Sequence, residues 1–224
     1  MKPPAPDRNR GDLTRDALIL AAMTVFGRDG FHATTTRAIA EEAKVNQALI
    51  GYHFGGKEGL YLAMFEHIAG QLGERLGPLV DAIGHLLETP VGPDETDLRS
   101  QAEAALLRLA EGMLMLMTRP EYASWAQLVL REQQSPTRAF EILYERFMGC
   151  VLTLLEQLVR RLRGDSAGDP RLLVVTLLGQ LLVFRAARTG VLRFLEWPRV
   201  GEAELAAIQA QLRRNISALL LPVA

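Results

Sequence analysis

Apolar residues recur along this chain at intervals of three and four, the signature of helices that each bury one face. The first run, Leu18, Ala21, Ala22, Val25 and Phe26, predicts a helix capped by Thr14 and reaching about Gly27, with Gly30 closing it and Phe31 turned inward. Thr34 or Thr35 caps a second helix whose inward residues are Ala38, Ile39 and Ala43, and its alanine-rich composition lets short helices cross closely. Lys44 and Val45 make a turn. Asn46 then caps a third helix over residues 47–54, with Leu49, Ile50 and Phe54 buried, and Gly55-Gly56 breaks it. A fourth helix opens near Lys57, carries the stripe Leu60, Tyr61, Met64, Phe65 and Ile68, and extends to about Leu76. Pro78 either kinks it or starts another helix that ends near Leu87.

Residues 89–97 hold two prolines, a glycine and three acids, and read as a loop. Beyond it the periodicity predicts helices over about 98–117, 121–132, 136–163, 170–190 and 201–220, with Pro136 and Pro170 suited to first helical turns. No segment alternates as a strand would. The expected fold is all-α, with nine or ten helices: a helix-turn-helix head over residues 12–60 and a larger ligand-binding and dimerisation body over 61–224.

A short helix, a tight turn and a second short helix form the arrangement that braces one helix on a phosphate backbone and lays the next in a major groove. At the start of the second helix, Thr35, Thr36 and Arg37 combine free backbone N–H groups, hydroxyls and a guanidinium, a good phosphate clamp; the plainer role is capping, which needs only one threonine. Asn46, Gln47 and Ala48 occupy the first turn of the third helix. The amides suit adenine and the alanine methyl suits thymine, against plain roles as an N-cap for Asn46 and an exposed residue for Gln47. Tyr52 and His53 follow on the same helix, and Lys57 can act with the fourth helix's N-terminus on one phosphate.

Composition narrows the remaining classes. With 25 basic and 26 acidic residues and a formal net charge of -1, the chain is not a polybasic coat for nucleic acid, and its 49% hydrophobic content provides a sizeable core. Cys150 is the single cysteine, which excludes an intramolecular disulfide and a cysteine-rich metal site; its apolar neighbours predict a buried thiol. Prolines and charges fill the first dozen residues where a signal peptide needs an apolar run, and no apolar stretch approaches membrane-spanning length, so a soluble cytoplasmic protein is expected. The four histidines form no metal-binding pair, and there is no Walker, GxSxG or GxGxxG sequence; neither an enzyme nor a cofactor is expected. In the body, Met113–Met117 alternates methionine with leucine, and Trp125 lies downstream. Met113, Met117, Trp125 and Phe147 could line an adaptable pocket for an apolar or amphipathic ligand, or simply fill the core.

The head resembles the TetR family of bacterial transcriptional regulators. The resemblance is carried by Phe26-Gly27, Gly30-Phe31, Thr34–Thr36, Ile39-Ala40, Ala43–Val45, His53-Phe54, Lys57-Glu58 and Leu60, in that order. The run VNQALIGYHFGGKEGLY, with REQQSPTRAFEILY in the body, is similar to the CecR-like subgroup; Gly51 stands where the wider family commonly has tyrosine. The resemblance implies a homodimer that binds palindromic double-stranded operator DNA, touches phosphates through Tyr52, His53 and Lys57, and is released as a repressor by a small-molecule effector held in the body. The competing reading is a dimeric helical protein that binds or converts a small molecule without specific DNA binding.

Overall fold

The computed structural model describes residues 10–88, 95–163 and 168–220. It is helical throughout, with no strand among the described residues. In chain order the helices are α1 (Arg10–Ala33), α2 (Thr36–Ala43), α3 (Ala48–Phe54), α4 (Lys57–Glu88), α5 (Glu95–Thr118), α6 (Ala123–Gln134), α7 (Arg138–Leu143), α8 (Gly149–Arg163), α9 (Pro170–Ala186), α10 (Arg188–Phe194) and α11 (Glu202–Leu220).

Four boundaries differ from the pattern-based expectation. α1 begins at Arg10 and is carried past Gly27, with the non-helical residue falling at Gly30 (φ 81°). α4 passes through Pro78 as one helix, because Leu76, Val80 and Ile83 keep its buried stripe in register across the proline. The stretch expected as one helix over 136–163 is interrupted by a π-helical turn at Tyr144–Met148. The helix expected over 170–190 ends at Ala186, and α9 and α10 meet at 88°. Most of the expected loop at 89–97 lies outside the described residues, although α5 already includes Glu95. Among the described residues, no single helix is long and apolar enough to cross a membrane.

The chain divides into two compact units. The first runs to Gly70 and takes in Gln127–Leu143; the second comprises Gln71–Ala126 and the chain from Tyr144 onward. The core of the first unit is Leu18, Ile19, Val25 and Phe26 of α1, Ile39 of α2, Ile50 of α3, and Leu60, Met64, Phe65 and Ile68 of α4. Tyr61 centres an aromatic cluster: its ring lies 5.0 Å from Phe26, 4.8 Å from Phe31 and 5.0 Å from Phe65. Edge and tilted geometries of this kind add to burial by placing ring edges against ring faces.

The distant segment Gln127–Leu143 is fastened to this core by polar bonds. Glu132 is 3% exposed. One of its carboxylate oxygens accepts from the Tyr61 hydroxyl at 2.8 Å, and the other accepts from the Thr137 N–H and hydroxyl, both at 2.9 Å. Arg131 donates to the Phe26 carbonyl at 2.9 Å. A buried carboxylate is tolerated because three donors replace its water. Burial, then the bond to Glu132 and its charge, push the Tyr61 phenol above its ordinary value.

In the second unit, buried apolar residues of α5, α8, α9 and α11 close around a cavity of about 30 Å³ lined by Leu106, Leu109, Met113, Leu155, Leu181 and Ile216 among others. Cys150 is exposed, contrary to the sequence expectation. The buried face of α8 is set by Val151, Leu155, Leu158 and Val159, and a residue one position before Val151 is turned about 100° away from it.

Candidate nucleic-acid interface

The helix-turn-helix is built by three local devices. Thr35, in extended conformation, accepts from the Ala38 N–H at 3.1 Å and so caps α2. α2 stops because Lys44 adopts a left-handed conformation (φ 55°, ψ 42°), which lets the Lys44 and Val45 N–H groups bond back to Glu41 and Ala40. Asn46 then accepts from the Ala48 N–H at 2.9 Å and opens α3.

The far end of α3 is fixed by glycines. Gly55 (φ 73°) caps it through the Gly51 carbonyl. Gly59, in the first turn of α4, packs so tightly against α3 that a Cβ would stand 1.9 Å from the Phe54 carbonyl oxygen. Lys57 ties α4 back to the segment preceding α2: its ammonium donates to the Thr34 carbonyl at 2.7 Å and sits 4.6 Å over the Phe31 ring. Thr34, 2% exposed, in turn donates to the Gly30 carbonyl at 2.7 Å.

Each residue expected to meet DNA has a definite place in this frame. Arg37 is exposed on α2 and paired with Glu41 at 2.8 Å. Gln47 reaches across the turn, its Nε2 donating to the Thr36 hydroxyl at 2.8 Å. Ala48 is exposed, and Tyr52 is 82% exposed with its ring edge-on to His53 at 5.0 Å. His53 is half-buried. The functional groups presented outward from α2, α3 and the turn between them are thus hydroxyls, a guanidinium, amides, a methyl and a phenol, a set able to contact both phosphates and base edges.

The pairing of Gln47 with Thr36, the closure at Gly59 and the fastening of Tyr61 by Glu132 are not written in the hydrophobic pattern. The spacing of Thr36 and Gln47 around a tight turn was the available signal for the first. The others depend on approaches that periodicity does not encode.

The four residues expected around a ligand are less concentrated. Met113 lines the small cavity of the second unit; Met117, Trp125 and Phe147 are not among its lining residues. Trp125 is buried beside Tyr122, with ring centroids 5.5 Å apart, and Met117 and Phe147 are half-buried. At about 30 Å³ the cavity has room for about one water, so an effector there would have to open it. Arg185, on α9, donates to the Arg119 carbonyl at 3.3 Å, and burial lowers its pKa.

Comparisons with known proteins bear on both units. The family model described as bacterial regulatory proteins, tetR family, matches residues 18–64. That of the C-terminal domain of the HTH-type transcriptional dual regulator CecR matches residues 102–221. The chain is 32% identical to the dual regulator CecR of Shigella flexneri over 213 residues, covering 94% of this chain and 93% of that protein. Among solved structures, AibR in complex with isovaleryl coenzyme A and operator DNA is similar in fold, with a TM-score of 0.66 at 14% identity over 94% of this chain and 100% of that one. The fatty acid degradation regulator FadR of Bacillus halodurans has a TM-score of 0.58 at 21% identity, covering 96% of both chains.

Proposed function

The chain belongs to the TetR family of bacterial regulatory proteins, in its CecR-like branch, and from that membership we propose that it is a ligand-responsive transcriptional repressor that binds a palindromic operator as a homodimer. The observation that carries the reading is the head: a capped α2, a left-handed turn at Lys44 and an α3 whose exposed residues include Gln47, Ala48 and Tyr52. In this reading α3 enters the major groove. Gln47, Ala48 and Asn46 meet base edges, while Thr35, Thr36, Arg37, Tyr52, His53 and Lys57 meet the backbone.

Dimer formation is supported by α9, which exposes Leu172, Val175, Leu182 and Val183. These positions recur at helical spacing, with Gly179 between them, and leave an apolar stripe that a second copy would cover. The proposed effector is apolar or amphipathic and enlarges the cavity beside Met113; Met117, Trp125 and Phe147 complete the site only if it extends beyond its present lining. Effector binding favours a dimer whose recognition helices no longer match successive major grooves, roughly 34–36 Å apart.

Two measurements on the full chain test this. Light scattering at micromolar concentration is expected to give twice the chain mass, and immobilised protein is expected to retain a small set of genomic fragments against competitor DNA. A strict monomer with no fragment enrichment would contradict the proposal and favour a helical small-molecule-binding protein instead.

A further inference from the structure

We infer that Thr36 is a specificity-determining positioning residue: its hydroxyl holds the Gln47 amide so that Gln47 accepts adenine and rejects guanine. The inference rests on the proposed role of Gln47 as a reader of adenine and adds what holds its amide to that base.

Gln47 is exposed at the start of α3, yet it makes no capping bond there; Asn46 performs that task through the Ala48 N–H. A long amide with no local role would sample many rotamers and lose that freedom on meeting DNA. Here it is already held, because Nε2 donates to Thr36 Oγ1 at 2.8 Å across the turn between α2 and α3. Thr36 is the first residue of α2 and half-buried, so the acceptor is itself anchored in the helix that braces α3.

The chemistry then follows from counting donors. A primary amide has two N–H donors and one carbonyl oxygen. The Thr36 hydroxyl occupies one donor, which leaves a single N–H beside the oxygen. In the major groove adenine presents an acceptor, N7, beside a donor, the N6 amino group, and that pair complements what remains on Gln47. Guanine presents two acceptors, N7 and O6. It would need both amide donors, and its O6 would face the amide oxygen. Thr36 therefore determines both where the amide stands and which purine fits it. A phosphate contact by Thr36 is blind to sequence, so its loss alone would weaken binding to every duplex and leave the preference for adenine unchanged.

The full-length wild type, Thr36→Val, Thr36→Ser, Gln47→Ala and the double variant Thr36→Val/Gln47→Ala are each offered a randomised duplex library. Competition binding then compares the duplex enriched by the wild type with versions carrying A→G changes. The expected result is an A·T position in each half-site where the preference for adenine falls about 3–10-fold in Thr36→Val, the value of a hydrogen bond of ordinary strength. The preference is retained in Thr36→Ser, lost in Gln47→Ala, and no weaker in the double variant than in Gln47→Ala. Thr36→Ala removes the same hydroxyl if the valine variant shifts the melting curve. Survival of the preference in both hydroxyl-deleted variants overturns the inference, as does an equal loss from Thr36→Val whether or not Gln47 is present. A Gln47→Ala variant with wild-type base preference removes Gln47 as the reader, and a wild type that enriches no sequence overturns the operator-binding proposal itself.

Discussion

Replacing Gly59 with alanine is expected to disable the head while leaving the second unit folded. The added Cβ would lie 1.9 Å from the Phe54 carbonyl oxygen and 3.0 Å from its carbonyl carbon, both backbone atoms. An ordinary C···O contact is about 3.3 Å, so the two helices must separate by more than an ångström. The clashing Phe54 carbonyl lies between the bond that closes α3, from the Gly55 N–H to the Gly51 carbonyl at 2.9 Å, and the one that opens α4, from the Leu60 N–H to the Gly56 carbonyl at 3.1 Å, so both are strained by the shift. Overpacking against backbone with no flexible neighbour to yield puts the cost at about 3 kcal/mol or more, a large share of a small unit's stability. Gly70→Ala is the control: it lies in the same helix with nothing within 4 Å of its added Cβ, and should be neutral or stabilising by about 0.4–1 kcal/mol. The assay is hydrogen exchange followed by mass spectrometry, read separately over residues 36–65 and over α8. Gly59→Ala should lose protection in the first region and keep it in the second, with DNA binding abolished. Equal protection of the two variants over residues 36–65 would refute the steric argument.

Further outcomes follow from the same geometry. Glu132→Ala strands the Tyr61 hydroxyl and the Thr137 N–H, and should destabilise the first unit by about 2–5 kcal/mol in exchange or denaturant measurements, with Glu132→Gln milder because an amide can still serve both partners. The Tyr61 phenol is raised above its ordinary value of 10.0, so its contribution is complete below that pH and is lost as pH rises past it; urea titrations between about pH 8 and 11 should show a fall in stability that Tyr61→Phe lacks. Glu41→Ala frees Arg37 from its ion pair and should tighten binding to random duplex and steepen its salt dependence, whereas Arg37→Ala should do the reverse.

The sequence carried the head almost completely, because its signals are local. Thr35 and Asn46 cap the helices as their residue types and positions indicated, and Gly30 and Gly55 adopt positive φ where the chain turns. Features decided over longer distances were not legible. Glu132 and Tyr61 are 71 residues apart, and nothing in the helical pattern around Glu132 says that a carboxylate should be buried. Gly59 carries no local signal of its role, since periodicity records which face is inward but not how closely two backbones approach. The break after α9 falls at Ala187 (φ -113°, ψ 26°), a residue with no breaking tendency, in a run whose composition favours continuing the helix. Side-chain type alone nominates Met113, Met117, Trp125 and Phe147 for a ligand, and only the packing of α5, α8, α9 and α11 shows that Met113 faces their common cavity.

Titration of the full chain against its enriched duplex and a scrambled duplex of equal length, repeated across salt concentrations, separates sequence-specific operator binding from general attachment to DNA. Two chains should saturate each enriched duplex, with a preference over the scrambled sequence of about 10³-fold or more. Log affinity for both duplexes should fall linearly with log salt. Indistinguishable affinities for the two sequences, or saturation by one chain, would contradict operator binding by a homodimer.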